Sequence, residues 1–290
     1  MELPADIQDR LDSLKKLPTL PVVIENLSRA LRDPEVEADR IAGIIRDDPA
    51  IMARIMKVVN SAYYQGAQAP ASLRSAIVRM GFRSVSNIAL SAAVFSTFPP
   101  QAGTVFDRGR FWRHCICTGI AAERLRSELP RFGGLEVDTD DLHLYGLLHD
   151  IGKIIFEQYF HGRFVEALEL SRSREISLSA AEERILGVDH ARAGAWLGEK
   201  WNLSAPVLAV IRWHHSPHNA PAKYREMVML TYLANLLTNA SGLGDSGNAY
   251  PRYAQKIAHE FDLEEDDLVY FINSIQKRAE HSPLLEALAK

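Results

Sequence analysis

The chain has 290 residues, 47% of them hydrophobic, and a formal net charge of −4. That composition belongs to a folded chain of one large or two modest domains. It leaves no basic surplus to drive nucleic-acid binding, and no apolar run approaches the ~20 residues that span a bilayer. Nothing at the start has the charged, apolar and small-residue succession of a signal peptide. The two cysteines, Cys115 and Cys117, stand one residue apart. Such a pair is a poor start for a structural disulfide and suggests a reducing compartment. On a helix the two point about 200° apart, so they read as small buried residues. A cytoplasmic location is the expectation.

In chain order, Ile7, Leu11 and Leu14 start a helix within residues 1–16. Leu17-Pro18-Thr19-Leu20-Pro21 breaks it, because proline cannot continue a helix and pushes its predecessor to an extended conformation. Pro21 opens the next helix, through Val22, Val23, Leu27, Ala30 and Leu31, which Asp33-Pro34 ends. Another runs from Val36 to Arg46. Asp47-Asp48-Pro49 then gives an acidic cap followed by proline at the first helical position. The helix it starts carries Ile51, Met52, Ile55, Met56, Val58 and Val59. Asn60 follows directly and reads as a C-cap. Gln65 to Ala71 is a turn-rich loop. Ser72 caps a helix through Leu73, Ile77 and Met80 that stops at Gly81, and Ser84 caps one through Val85, Ile88, Ala89 and Val94. Pro99-Pro100 closes this region of about five short helices, in which no strand alternation is visible.

The apolar pattern restarts at Phe111-Trp112-Arg113-His114 and runs through Ile116, Ile120, Ala121 and Leu125. Pro130 to Thr139, with Gly133-Gly134, reads as a disordered insert. Asp140 or Asp141 caps a helix holding Tyr145-Gly146-Leu147-Leu148-His149-Asp150-Ile151-Gly152-Lys153. Within it His149 and Asp150 form a polar pair among Leu147, Leu148, Ile151, Ile154 and Ile155, with Gly152 loosening the helix at a bend. Helices follow at Phe164–Leu170, after His190, from Pro206 through His214-His215, and from Met227 to Leu237 with Asn235 inside. Gly242 to Asn248 reads as a flexible loop, and the tail from Tyr253 as further helices. The fold class is all-α, with segments 1–100, 101–240 and a C-terminal helical tail 241–290.

An ionised Asp150 in an apolar segment is costly unless a cation or donors compensate it, and an imidazole nitrogen beside a carboxylate oxygen is a metal-binding pair. Four further histidines, His114, His190, His214 and His215, also lie in apolar helical contexts. Bundles build metal sites by bringing such side chains to one point. His214 and His215 point about 100° apart on a helix, so either they flank one site or one of them is structural. His143, His161, His218, His259 and His281 read as surface.

The spaced set His114, His149-Asp150, His190 and His214-His215 resembles the HD superfamily of metal-dependent phosphohydrolases. Leu17–Pro21, Ile45-Arg46-Asp47-Asp48-Pro49-Ala50, Val58-Val59-Asn60-Ser61-Ala62 and Ala76-Ile77-Val78-Arg79-Met80-Gly81 narrow this to the HDOD domain, over roughly residues 14–240. The resemblance implies two helical subdomains, the second an HD-like helical bundle. It implies metal ligation by His114, His149 and Asp150, with His190, His214 and His215 serving a second metal or a phosphate. Zinc, iron, manganese and nickel all suit mixed imidazole and carboxylate ligands. A last aspartate normally completes the site; Thr231-Tyr232-Leu233-Ala234-Asn235 resembles that segment, with the neutral amide of Asn235 in the carboxylate's place. The family is regarded as a bacterial signal-transduction output module without established hydrolysis. The expectation is therefore a non-catalytic regulator that contacts a kinase or another signalling protein, with no nucleic-acid or membrane partner. The alternative is a metal-dependent phosphohydrolase acting on a nucleotide or cyclic dinucleotide.

Overall fold

The computed structural model describes residues 5–12, 21–31, 33, 35–59, 72–98, 105–248, 257, 260–282 and 285, and among them every regular element is helical. Leu17 to Leu20, Pro34, Asn60, the loop from Gln65 to Ala71, Pro99-Pro100 and His259 lie outside the described residues. The chain forms two compact units. One comprises Pro18–Pro99 with Glu280–Lys290; the other comprises Met1–Leu17 with Pro100–Ala279. This division differs from the 1–100, 101–240 and 241–290 segments read from sequence, since residues 1–17 and most of the tail group with the second unit. The first helix, α1 (Ala5–Asp12), is part of it.

The smaller unit holds α2 (Val22–Ala30), α3 (Ala38–Arg46), α4 (Pro49–Val59), α5 (Leu73–Met80) and α6 (Phe82–Thr97). Local chemistry sets its boundaries. Asp48 Oδ1 accepts from the backbone N–H of Ala50 and Ile51, both at 3.0 Å, with Pro49 in the first turn. Ser72 caps α5 in a reciprocal box with Ser75. Gly81, at φ 85°, joins α5 directly to α6, so α6 starts two residues ahead of the expected Ser84 cap. Leu27, Ile41, Ile45, Ile55, Ala76 and Val85 are fully buried and form its core.

The larger unit is built on α7 (Arg108–Glu128), which packs along α8 (Thr139–Leu148). There follow α9 (Gly152–Tyr159), α10 (His161–Arg174), α11 (Leu178–Leu186), α12 (His190–Lys200), α13 (Ala205–Trp213), α14 (Arg225–Ser241) and α15 (Glu265–Glu280). α14 packs on α7, α12 on α9 and α13, and α10 on α11. The α7–α8 contact needs Gly146: a Cβ there would lie 2.2 Å from the Gly119 nitrogen. Arg108 and Glu157 form a buried ion pair between α7 and α9.

Two sequence expectations change here. Pro130 to Thr139 is not a disordered insert: Pro130–Phe132 is a 3-10 turn, Phe132 is fully buried, and Arg126 Nε donates to the Leu135 carbonyl at 3.1 Å. The cap of α8 falls on Asp138 rather than Asp140 or Asp141.

Candidate metal centre

Five segments deliver the cluster. α7 carries His114 on its buried face. α8 ends at Leu148 and α9 begins at Gly152, so His149 and Asp150 sit in the tight turn between them rather than inside one helix. That turn fits because Gly152 rests on α12: a Cβ there would lie 1.9 Å from the His190 carbonyl oxygen. α12 opens on His190 behind an N-cap, Asp189, which accepts from Arg192 N–H at 2.9 Å. α13 stops at Trp213, which leaves His214 and His215 on the turn that follows instead of on the helix. α14 contributes Asn235.

Asp150 is the centre, and it is completely buried. Its Oδ2 lies 3.3 Å from His149 Nε2 and 3.7 Å from His114 Nε2. Its Oδ1 lies 3.0 Å from His190 Nε2 and 3.3 Å from His214 Nε2. Two of these rings are oriented by the backbone. His149 Nδ1 meets the Gly146 carbonyl at 2.7 Å and His214 Nδ1 meets the Ile211 carbonyl at 2.9 Å. A carbonyl only accepts, so each Nδ1 carries a proton, and in the neutral ring each Nε2 presents a lone pair. His114 Nε2, His149 Nε2, His214 Nε2 and Asp150 Oδ1 have no hydrogen-bond partner. Lone pairs aimed at a buried carboxylate are favourable only with a cation among them.

The donor set therefore fits a divalent ion. The ligand atoms form two groups that share Asp150: His114, His149 and Asp150, and Asp150, His190, His214 and His215. Within each group the atoms lie within 4.8 Å of one another. In the second group His190 is already committed. Its Nδ1 is 2.5 Å from Glu182 Oε2, its backbone N–H donates to the same oxygen at 2.8 Å, and its Nε2 is 2.7 Å from His215 Nε2. Uncommitted ligand atoms remain on His114, His149, Asp150 and His214.

Electrostatics match this division. Burial opposes ionisation of Asp150, but His149, Lys153 and His190 outweigh it and hold the carboxyl well below its ordinary range. Burial pushes His114 well down and His214 down to about 4, so both are neutral near pH 7, as metal ligation requires. Sequence reading missed Lys153, which is 1% exposed and places Nζ 2.5 Å from Asp150 Oδ2. The i, i+3 spacing after Asp150 was the available signal. It also missed Glu182.

Residues 17–217, more than half of the chain, match the family model described as the HDOD domain. The chain belongs to the HDOD family. A relative from Treponema pallidum (strain Nichols), called only an uncharacterized protein, is 28% identical over 235 residues. That match covers 81% of this chain, and the chain spans only 44% of the relative's length. An HDOD domain protein of unknown function from Geobacter sulfurreducens shares the fold at TM-score 0.74, with 22% identity and 97% of this chain and 96% of that one covered. A Shewanella amazonensis SB2B protein provisionally named a phosphohydrolase gives 0.72, at 20% identity and 98% coverage of both chains. A Marinobacter aquaeolei VT8 protein provisionally named for signal transduction gives 0.74, at 22% identity, covering 100% of this chain and 63% of that one.

In this HDOD chain Asn235 borders the cluster at 5% exposure, and Asn239 Nδ2 donates to its Oδ1 at 2.6 Å. Ser246 Oγ–H in turn donates to Asn239 Oδ1 at 2.6 Å. The amide oxygen thus accepts one hydrogen bond and keeps its second lone pair. Ser246 belongs to the loop expected to be flexible. That loop is packed on α7: Asp245 N–H donates to the Arg110 carbonyl, and a Cβ on Gly244 would lie 2.3 Å from the His114 nitrogen. A pocket of about 360 Å³ opens on His215 and Asn235, bounded also by Ser177, Tyr232, Asn239 and Asn248. Of the histidines read as surface, His218 and His281 are exposed, whereas His143 and His161 are half-buried, His143 beside Glu123 at 3.4 Å.

His190 and His214 tie stability to pH with opposite signs. Burial works against the charge on His190, but Glu182 and Asp150 outweigh it and raise the group to about 9. Its contribution is full below about pH 6.5 and is lost as pH rises through 9. His214, lowered to about 4, contributes fully above pH 6.5 and loses that contribution as pH falls toward 4. Urea unfolding of the metal-free chain is therefore expected to show greatest stability near pH 6.5, the alkaline limb falling by on the order of 3 kcal/mol and the acid limb by more, since burial lowers His114 and His215 as well. Glu182→Gln should flatten the alkaline limb alone.

Proposed function

We propose that this chain is a regulatory module of bacterial signal transduction. It acts by contact with a kinase or another signalling protein, and its buried cluster holds a divalent ion without hydrolysing a phosphoester. The family supports the signalling role. The observation that carries the non-hydrolytic reading is the pocket beside the cluster. Its described lining contains no lysine or arginine; it offers amides, two hydroxyls, an imidazole and the carboxylate of Glu175. Phosphoryl transfer relies on cationic groups aimed at the phosphate oxygens. The buried cations of the cluster are engaged elsewhere, Lys153 with Asp150 and His190 with Glu182.

His114, His149 and Asp150 would hold the ion, with His214 supplying a third nitrogen on the far side of the carboxylate. When bound, such an ion supplies Lewis-acid polarisation. The protein's own share is to hold His149 and His214 in fixed tautomers, to keep the carboxylate ionised and to exclude water. The orphaned Nε2 atoms also suit the second reading, a phosphohydrolase, since they are what a catalytic metal site would need.

The two readings separate in one assay. Purified chain with Mn²⁺, Fe²⁺ or Ni²⁺ is expected to release no product from bis(p-nitrophenyl) phosphate or a cyclic dinucleotide, while binding its signalling partner stoichiometrically. Sustained turnover that disappears in His149→Ala would establish the phosphohydrolase instead.

A further inference from the structure

Asp150 Oδ2 is shared. It faces His149 Nε2 at 3.3 Å and His114 Nε2 at 3.7 Å, and Lys153 Nζ sits on the same oxygen at 2.5 Å. An ion held by His114, His149 and Asp150 would draw on the oxygen that the ammonium already occupies. The contact is built into the backbone: Asp150 and Lys153 are three residues apart across the turn into α9, and Lys153 N–H donates to the Asp150 carbonyl at 3.0 Å. Both side chains are buried, so water does not screen the pair.

Charge decides the consequence. Asp150 is the only carboxylate among the residues free to ligate, and Asn235 adds no second one. With His114, His149 and His214 neutral as ligands, Asp150 and Lys153 sum to zero, and His190 with Glu182 forms a second pair that adds no net charge. A divalent ion therefore enters a site with no net negative charge, next to a fixed positive one.

We propose that Lys153 is the resident cation of this cluster and controls its metal occupancy: the ammonium neutralises Asp150 when no ion is bound, and an ion binds in exchange for that contact. The inference rests on the reading of the cluster as a metal site. It explains how the fold tolerates a buried carboxylate ringed by lone pairs without obligatory metal, and it makes occupancy responsive to metal concentration rather than permanent.

The test is isothermal titration of the full chain with Zn²⁺ and with Mn²⁺, comparing wild type, Lys153→Met and His149→Ala/Lys153→Met. Lys153→Met is expected to bind one ion per chain at least about tenfold more tightly than wild type, and its melting temperature should become strongly metal-dependent. The added His149→Ala should erase the gain. Equal affinities in wild type and Lys153→Met would overturn the proposal while leaving the metal reading intact. Binding in neither would overturn both. Should Lys153→Met fold only when Zn²⁺ or Mn²⁺ is supplied, the ion is replacing the ammonium, as proposed. Should neither Lys153→Met nor the milder Lys153→Gln be rescued by metal, the exchange does not occur and the proposal falls.

Discussion

Gly152→Ala is expected to cost roughly 3 kcal/mol or more and to disperse the histidine cluster. The substituted methyl would lie 1.9 Å from the His190 carbonyl oxygen and 2.7 Å from the Gly194 nitrogen. Both are backbone atoms of α12, so no side chain can swing aside. Relief requires α9 to move off α12. Because His149 and Asp150 precede Gly152 directly and His190 opens α12, that movement separates Asp150 from His190. Chemical denaturation should show the loss of stability, and the variant should take up no metal. An alanine accepted at little cost would mean the turn is looser than described. Gly162→Ala is the control, since a Cβ there meets nothing within 4 Å.

Asp150→Ala is expected to cost about 3–5 kcal/mol, more than the loss of its contacts alone, because Lys153 is left as a buried, unpaired ammonium. The sign of the second step is the informative one. Adding Lys153→Met to Asp150→Ala should restore most of the stability, since replacing both partners by apolar groups removes the stranded charge. A double-mutant cycle by urea denaturation measures this coupling. If the double variant is as unstable as the sum of the single changes, Asp150 and Lys153 are not an interdependent pair.

The polar members of the cluster were legible because they break apolar runs. His149 and Asp150 stand among leucines and isoleucines, and His114, His190, His214 and His215 recur in similar settings. Their convergence on Asp150 was not legible, since it follows from the packing of α7, α9, α12 and α13. Lys153 escaped because lysine is ordinarily a surface residue, and only the structure shows it sealed inside. Glu182 escaped because its partner, His190, lies eight residues on, across the turn between α11 and α12. The loop from Gly242 to Asn248 reads as flexible from its glycines, yet all three, Gly242, Gly244 and Gly247, take positive φ so that the chain can turn back onto α7. The all-helical fold was plain from apolar spacing and caps, but the grouping of residues 1–17 with 100–279 depends on tertiary contacts that periodicity does not encode.

A buried cluster that works as a cation site must take up metal. Equilibrium dialysis against Zn²⁺ followed by elemental analysis, wild type beside His149→Ala, tests that most directly. One ion per wild-type chain, absent from His149→Ala, is expected. No uptake by either protein, or equal uptake by both, would contradict it.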